Sequence, residues 1–271
     1  MDRSVRYLSD MGYNVVRHPS AGLEPLHVFG ELRGEFANVG KLDDLVEDAT
    51  ETLPVPVKNV EAADINGKQT SKLPLSIGID LLSAVMTGLG GNVKVAAEFE
   101  AARTLQFQFT NVSKSLVNLA DIGRYLDSGT IRWDATGIRE FFEPGGTLYL
   151  VTTTVASPSF GVTAHKSRSA KLEVDVPVIE GLLGDGNVSA GVDTSGESQM
   201  TFAGQVSLVF GFTCVELAVT EHPKHQDELR LTIRPVRSGE VALSLGEDQA
   251  KDAKPVLFSD SGLITEIPGA T

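Results

Sequence analysis

Histidine, cysteine and carboxylate side chains are the first candidates for chemistry in this sequence, and their spacing favours none of the common catalytic sites. His222 and His225 form the one close histidine pair, but they lack both the i,i+4 spacing and the carboxylate of a helical zinc site. The single cysteine, Cys214, lies in an apolar run with no base beside it, as expected of a buried small hydrophobe in a reducing compartment. The sequence has no G-x-S-x-G elbow and no P-loop. We therefore predict a protein that is not an enzyme and that binds no metal or cofactor.

The charge and hydropathy of the chain exclude two further classes of protein. Its 271 residues carry a formal net charge of −13, so there is no excess positive charge to release counterions from nucleic acid. No window of 18 consecutive apolar residues could form a transmembrane helix, and the first residues contain no apolar stretch of the signal-peptide type. These features predict a soluble, cytoplasmic protein that does not bind nucleic acid.

One basic cluster reverses this acidic balance locally. His165, Lys166, Arg168 and Lys171 fall within seven residues that contain no acid. Near an anionic membrane surface, each Lys or Arg contributes up to about 1 kcal/mol of attraction. The same charges would also protect the edge of a solvated hairpin, and the sequence leaves both interpretations open. Lys166, Arg168 and Lys171 are thus candidate ligands of lipid headgroups.

A long alternating run is the most unusual structural signal. Residues 93–109, VKVAAEFEAARTLQFQF, have apolar side chains at every odd position except Arg103, which is typical of a strand with one apolar and one wet face. At about 3.3 Å per residue the run would span about 55 Å, whereas strands usually have about 5–6 residues. A strand that crosses a membrane needs only about 9–11. Periodicity alone favours a long, bent sheet strand covered by a helix over a membrane-crossing strand.

Shorter periodic segments on either side define the rest of the predicted fold. Residues 73–91 fit both a helix and a strand, and their Leu, Ala and Met content favours a helix. Residues 113–129 are predicted to form an amphipathic helix. Further predicted elements are short helices within 1–10, 41–48 and 136–143, strands at 13–19, 25–32 and 229–233, and a long strand pair at 159–178 and 187–208. The expected fold class is α+β, with a twisted, mainly antiparallel central sheet and flanking helices.

The order of these segments resembles that of the gasdermins, most closely the short bacterial ones. The opening YLSDMGYNVVRHPSAGLEPLHVFGEL is similar to the family's start, and GGNVKVAAEFEAARTLQFQF to the rising strand of its first membrane hairpin. GGTLYLVTTTVASPSFGVTAHKSRSAKLEV resembles the V-rich strand that leads into a basic second hairpin, and QMTFAGQVSLVFGFTCVEL the strand that returns from it. The resemblance covers most of residues 5–235.

The resemblance implies an autoinhibited pore-forming protein. Residues 1–237 would be the pore-forming domain, 238–254 a protease-sensitive linker, and 255–271 a short C-terminal inhibitory peptide. Once an activating protease, typically encoded nearby, has cut the linker, hairpin regions at about 75–109 and 159–208 would refold into membrane-spanning strands. Many copies would then assemble into a large homo-oligomeric pore among the lipids of the cell inner membrane. This pore would kill the cell as an abortive defence against phage.

Each of these roles falls on named residues. The predicted membrane-inserting residues are Val93, Val95, Phe99, Leu105, Phe107, Phe109, Leu172, Val174, Val176, Met200 and Phe202. The predicted autoinhibitory residues are Val256, Leu257, Phe258, Leu263, Ile264 and Ile267, and the predicted cleavage region contains Leu243, Leu245, Gly246 and Lys251.

One feature departs from the family pattern. Bacterial gasdermins usually carry an acylated N-terminal cysteine, and residues 1–10 contain none. No acyl anchor is assigned, and Cys214 is not given that role. Two other functions compete with the pore-forming one: a non-enzymatic, soluble β-rich module that binds a ligand or partner, and, less favoured, an unrecognised hydrolase.

Overall fold

A computed structural model describes most of the chain. The described residues are 12–63, 65–70, 72–91, 93–133, 139–142, 145–167, 171, 188–192, 199–222 and 228–234. The helix predicted within residues 1–10, the linker 238–254 and the C-terminal peptide 255–271 lie outside them.

The described residues form thirteen strands, four α-helices and one 3₁₀ segment. The strands are β1 (Asn14–Ser20), β2 (His27–Leu32), β3 (Glu35–Lys41), β4 (Val46–Glu47), β5 (Val57–Glu61), β6 (Leu73–Pro74), β7 (Thr104–Thr110), β8 (Ser113–Leu116), β9 (Thr130–Ile131), β10 (Gly146–His165), β11 (Val188–Val192), β12 (Gln199–Glu221) and β13 (Leu229–Ile233). The helices are α1 (Leu42–Leu45), α2 (Leu75–Gly88), α3 (Leu119–Asp127) and α4 (Arg139–Phe142), and the 3₁₀ segment is Val93–Phe99.

Two long antiparallel strands, β10 and β12, form the spine of the sheet. Shorter strands line both of its edges. β2, β8 and β7 follow one another along β10. β13, β1 and β11 follow one another along β12. All of these pairs are antiparallel, and the helices flank the sheet, so the predicted fold class is confirmed.

Several elements lie where the sequence predicts them. α2 is helical, and its buried face includes Leu82, Val85 and Met86. β13 has the predicted bounds. In β7 the alternation is regular, with Leu105, Phe107 and Phe109 buried and the intervening side chains half-buried.

The single strand predicted over residues 93–109 is wrong for this state. Its first part is the 3₁₀ segment, and only its second part is a strand, β7. The physical reason is that the run also has buried positions three or four residues apart, which is a helical spacing. Alanines on the side predicted to be polar complete this second pattern. The buried residues of the first part are Val95, Ala96, Phe99 and Ala102.

The helix predicted over residues 113–129 is too long. Residues 113–116 form β8, which pairs with both β5 and β10, and the helix begins only after Asn118. The Asn118 side chain accepts a hydrogen bond of 2.9 Å from the Ala120 N–H and so caps α3. Tertiary pairing therefore overrides the helical periodicity of Leu116.

The sheet and its helices enclose two large apolar clusters. The distal core lies under α2 and the 3₁₀ segment, and the proximal core lies under α3 and α4. The distal core includes Leu82, Met86, Val95, Phe99, Leu105, Phe107, Phe109, Val155, Phe160, Val162, Met200, Phe202, Leu208 and Phe210. The proximal core includes Val28, Ile122, Leu126, Phe141, Leu148, Leu150, Val215, Leu217, Leu231 and Ile233.

Candidate functional site

The predicted membrane-inserting residues that can be placed converge on one cluster. Each of those with a described side chain is at most 7% exposed and belongs to the distal core. These residues are Val95, Phe99, Leu105, Phe107, Phe109, Met200 and Phe202. Val93 begins the 3₁₀ segment, and Leu172, Val174 and Val176 lie outside the described residues. Residues far apart in the chain thus share one buried apolar surface.

An aromatic ladder joins the strands of this cluster. The Phe160 ring on β10 lies between Phe107 of β7 and Phe202 of β12, with ring centroids 6.4 and 5.2 Å away. Phe109 and Phe210 stack with centroids 4.0 Å apart. Aromatic pairs contribute about 0.5–1.5 kcal/mol beyond the burial of their area. The ladder therefore holds the apolar faces of three strands together as one surface.

Sequence analysis missed several members of this surface. Phe160, Val162 and Ala164 are buried in the distal core, as is Phe210. The missed signal is the alternation of residues 160–164, in which apolar side chains stand at every second position. The short glycine and alanine neighbours weakened that pattern, because they fit either face of a strand.

Helix α2 covers the apolar surface at very close range. A Cβ added at Gly78 would lie 2.8 Å from Leu105 Cβ, so this glycine allows α2 to approach β7. At the other end of the cover, a Cβ added at Gly204 would lie 2.8 Å from Leu89. Because Gly78 and Gly204 have no Cβ, α2 and the residue that follows it can pack closely on the sheet.

The opposite face of β7 carries uncharged amide side chains. Gln199 Nε2 of β12 donates to Gln108 Oε1 at 2.7 Å, and Gln106 Nε2 donates to the Thr70 carbonyl oxygen at 2.9 Å. Gln108 in turn donates to the Gly67 carbonyl. The segment before β6 is thereby attached to the outer edge of β7. The β7 strand thus has one apolar and one uncharged polar face.

The basic cluster lies at the far end of β10. Lys166 is exposed and Lys171 is half-buried, and Arg168 lies outside the described residues. His165 is 5% exposed, and its Nε2 has no hydrogen-bond partner among the described residues. Burial, together with the nearby charges of Lys72 and Lys171, lowers the pKa of His165 below its ordinary value. These effects favour the neutral imidazole of His165, which distinguishes it from the lysines predicted to bind headgroups.

Arg103, the exception within the alternating run, lies outside the apolar surface. Its side chain is exposed at the turn before β7. Its backbone N–H donates to the His165 carbonyl at 2.8 Å, and its carbonyl accepts from the Leu75 N–H at 3.2 Å. The backbone of Arg103 thus joins the ends of α2, β7 and β10.

A groove of about 370 Å³ lies at the opposite, proximal end of the spine. Phe142, Val219 and Leu231 supply apolar walls, and Arg234 stands at its rim as the last described residue. The guanidinium of Arg234 is paired with Glu216. The C-terminal segment of the chain therefore starts beside this groove.

Candidates for other chemistry are few among the described residues. Cys214 is fully buried, and this burial raises the pKa of its thiol. Within the described ranges, no group of three or more His, Cys, Asp or Glu side chains could hold a metal ion. None of the described helices is both long enough and apolar enough to span a bilayer.

Comparison with known proteins identifies the family. The model of the Bacterial Gasdermin Family matches residues 16–228. A gasdermin bGSDM from Vitiosangium sp. is 32% identical over 98% of this chain and 95% of its own length. A gasdermin bGSDM from Lysobacter enzymogenes is 30% identical over 96% of this chain and 94% of its own length. The chain belongs to the bacterial gasdermin family.

A solved bacterial gasdermin from Bradyrhizobium tropiciagri has the same fold. It matches with a TM-score of 0.58 at 13% identity, over 86% of this chain and 92% of that one. Family membership confirms the predicted resemblance and gives the general function, a pore-forming protein of cell death and defence. Gasdermins are generally non-enzymatic, assemble into oligomers and interact with membrane lipids.

Proposed function

We propose that this gasdermin is held inactive by its C-terminal peptide and activated by proteolysis. Cleavage within residues 238–254 would release 255–271, and hairpin regions at about 75–109 and 159–208 would refold into membrane-spanning strands. The protein would move from the cytoplasm to the cell inner membrane, assemble into a large pore and kill the cell as an anti-phage response. The activating protease would be encoded nearby.

One observation carries this proposal. The predicted membrane-facing side chains with described positions form a single apolar surface, the distal core, although they come from three elements, the 3₁₀ segment, β7 and β12. Strands that cross a membrane need an apolar band on one face and a polar face on the other. In β7 the second face carries Gln106 and Gln108, which are polar without being charged. Such a face tolerates a water-filled lumen.

We propose that the C-terminal peptide 255–271 binds in the proximal groove until cleavage releases it. The last described residue, Arg234, lines this groove, and Phe142, Val219 and Leu231 contribute apolar side chains to it. The peptide supplies matching apolar side chains at Leu257, Phe258 and Ile264. Burial of such side chains contributes about 1.5–3 kcal/mol each. Charge contributes little to the release, because residues 238–271 contain two lysines against six acids.

The decisive experiment is dye release from anionic liposomes. Protein truncated after residue 245 is expected to release dye, whereas full-length protein stays inert. If the truncated protein, folded by circular dichroism, binds liposomes but releases no dye, the chain acts as a β-rich binding module and the pore mechanism is wrong.

Single substitutions in the peptide test autoinhibition without truncation. In full-length protein, Phe258→Asp is expected to cause release without cleavage, because it removes an apolar anchor. Ser259→Asp adds the same charge at the neighbouring polar position and serves as the control. Equal inertness of both variants would mean that Phe258 does not hold the inactive state.

A protease test addresses activation in cells. Co-expression with the protease encoded beside the gene is expected to cut the chain between residues 238 and 254 and to arrest growth during phage infection. Mass spectrometry of the cut protein identifies the bond. A cut outside this range would contradict the proposed linker.

A further inference from the structure

Strand β10 is interrupted at Pro158, in the middle of the spine. On the β12 side, Ser157 faces Leu208 and Ser159 faces Ala203, so that one residue of β10 stands opposite four of β12. Proline has no N–H with which to continue a ladder. The extra residues of β12 form a bulge whose side chains at 205–207 are exposed.

The other edge of β10 is interrupted at the same level. β7 and β8 pair with β10 in one common register, from Thr104 opposite His165 to Leu116 opposite Thr153. Pairing stops only at Asn111 and Val112, which stand opposite the break. Asn111 has a φ of 55°, a conformation that a strand residue does not adopt. The break therefore crosses the whole sheet.

Buried hydroxyl groups satisfy the backbone within the break. Ser157 Oγ accepts the Ser159 N–H at 3.0 Å and lies 2.5 Å from the Thr110 carbonyl oxygen, to which it can donate. Ser159 Oγ lies 2.7 Å from Thr110 Oγ1 and accepts from Asn111 Nδ2 at 3.1 Å. Ser157 and Ser159 are each 5% exposed. A buried break with its polar groups bonded is a built feature of the fold.

The break changes which side chains of β10 face the helices. Before it, Val155 points into the distal core, and beyond it Phe160 and Val162 do so. These positions are odd before the break and even after it. In a regular strand, side chains alternate strictly between the two faces. A straight β10 would therefore place Phe160 and Val162 on the face opposite Val155, away from α2.

We propose that the break at Pro158 is a conformational switch that sets the direction of the apolar face. With the break in place, the aromatic ladder faces α2. When the break straightens, Phe160, Val162 and their partners on β7 and β12 turn outward and become available to lipid. The proposed lipid contact rests on the proposed pore function. The proposal that the parts of the sheet before and beyond Pro158 open independently does not.

Hydrogen exchange of full-length protein without lipid tests that independence. Amides at 159–165 and 199–203 are expected to exchange together, about tenfold or more faster than those at 148–151 and 214–217, because local units open separately from the rest of a fold. Uniform protection across Pro158 would overturn the switch. This result does not depend on pore formation.

A straightened variant tests the consequence. Deletion of residues 205–207 combined with Pro158→Thr would leave position 158 opposite Gly204 and allow the ladder to continue across this position. Full-length protein with both changes is expected to release liposome dye without cleavage, and each change alone to release less. If the double variant is folded but needs cleavage as the wild type does, the switch is wrong. If the double variant does not fold, the hydrogen-exchange difference between the two sides of Pro158 decides whether the switch is right. Failure of wild-type protein truncated after residue 245 to release dye would contradict the pore function alone.

Discussion

The two halves of the spine are held together by different kinds of contact. The proximal half, around the proximal core, is tied together by charged pairs such as Arg230 with Asp127 and Arg132 with Glu47. The distal half, around the distal core, is tied by rings on one face and by the Gln199–Gln108 amide pair on the other. Stranded charges are costly in an apolar medium. The polar face of β7 carries no charge, so no ion pair on it would break if the strand changed surroundings, whereas such a change in the proximal half would break pairs such as Arg230 with Asp127.

The largest effect is expected from removing a ring from each half. Phe160→Ala deletes the middle of the ladder and should cost about 3–5 kcal/mol of stability, confined to the distal amides in hydrogen exchange. Tyr125→Ala removes a ring of similar size from the proximal core at a residue that does not line the proximal groove. It should lower the thermal midpoint without releasing dye from liposomes, whereas Phe160→Ala should promote release. If the two variants release dye to the same extent, the distal and proximal halves do not differ in function.

Two glycine substitutions compare the helices that cover the halves. Gly78→Ala in α2 places a Cβ 2.8 Å from Leu105 Cβ, and such overpacking costs about 1–3 kcal/mol. Gly123→Ala in α3 meets nothing within 4 Å and should stabilise by about 0.5–1 kcal/mol through helix propensity. Urea denaturation measures whether each substitution lowers or raises the free energy of unfolding. A stabilising Gly78→Ala would show that α2 is not seated closely on β7.

Charge reversal of lysines tests whether the distal end of the spine binds lipid. Lys166→Glu with Lys171→Glu should weaken binding to anionic liposomes by about 1 kcal/mol per residue, measured by flotation. Lys58→Glu makes the same change on β5, away from the distal end. Its expected effect is smaller, and an equal loss for all three positions would indicate attraction by net charge alone. The lipid role of these lysines stays a prediction until then.

The smallest expected effect is a pH dependence of the distal half. The pKa of His165 is lowered in the folded protein, mainly by burial and then by Lys72 and Lys171. The folded state therefore disfavours the protonated imidazole, and the stability it gains is complete above the unfolded pKa of about 6.5. That stability is lost as the pH falls through 6.5 towards the folded value. His165→Gln should flatten this loss, and an unchanged pH profile of thermal stability would exclude His165 as its source.

The sequence was most informative where one period dominates. β7 alternates without exception, and the covering helix α2 ends in a glycine-rich stop, so both were predictable. The 3₁₀ segment was not, because small alanines satisfy a strand and a helix equally. The break at Pro158 was not predicted either. A proline indicates where strand pairing can stop, but it does not indicate that β12 has additional residues opposite it.

The site was predictable to a similar extent. The apolar face of residues 93–109 was identified from alternation, whereas Met200 and Phe202 were assigned through the family resemblance, and the two sets do meet in the distal core. That Phe160 would stack between them depends on the register of β10, which no local pattern determines. The burial of His165 within a basic run likewise depends on the packing at the end of β10, which no local pattern shows.

The wide separation of the paired strands along the chain also affects synthesis. β7 precedes its spine partners, and Phe109 finds Phe210 only after about 100 further residues, which take about 5–20 s at bacterial translation rates of about 5–20 residues per second. During that interval the segment best suited to enter a membrane has been made, but its sheet partners β10 and β12 have not. We therefore expect the yield of folded protein to be sensitive to chaperone supply, because the topology leaves this apolar segment without its sheet partners in every copy during that delay.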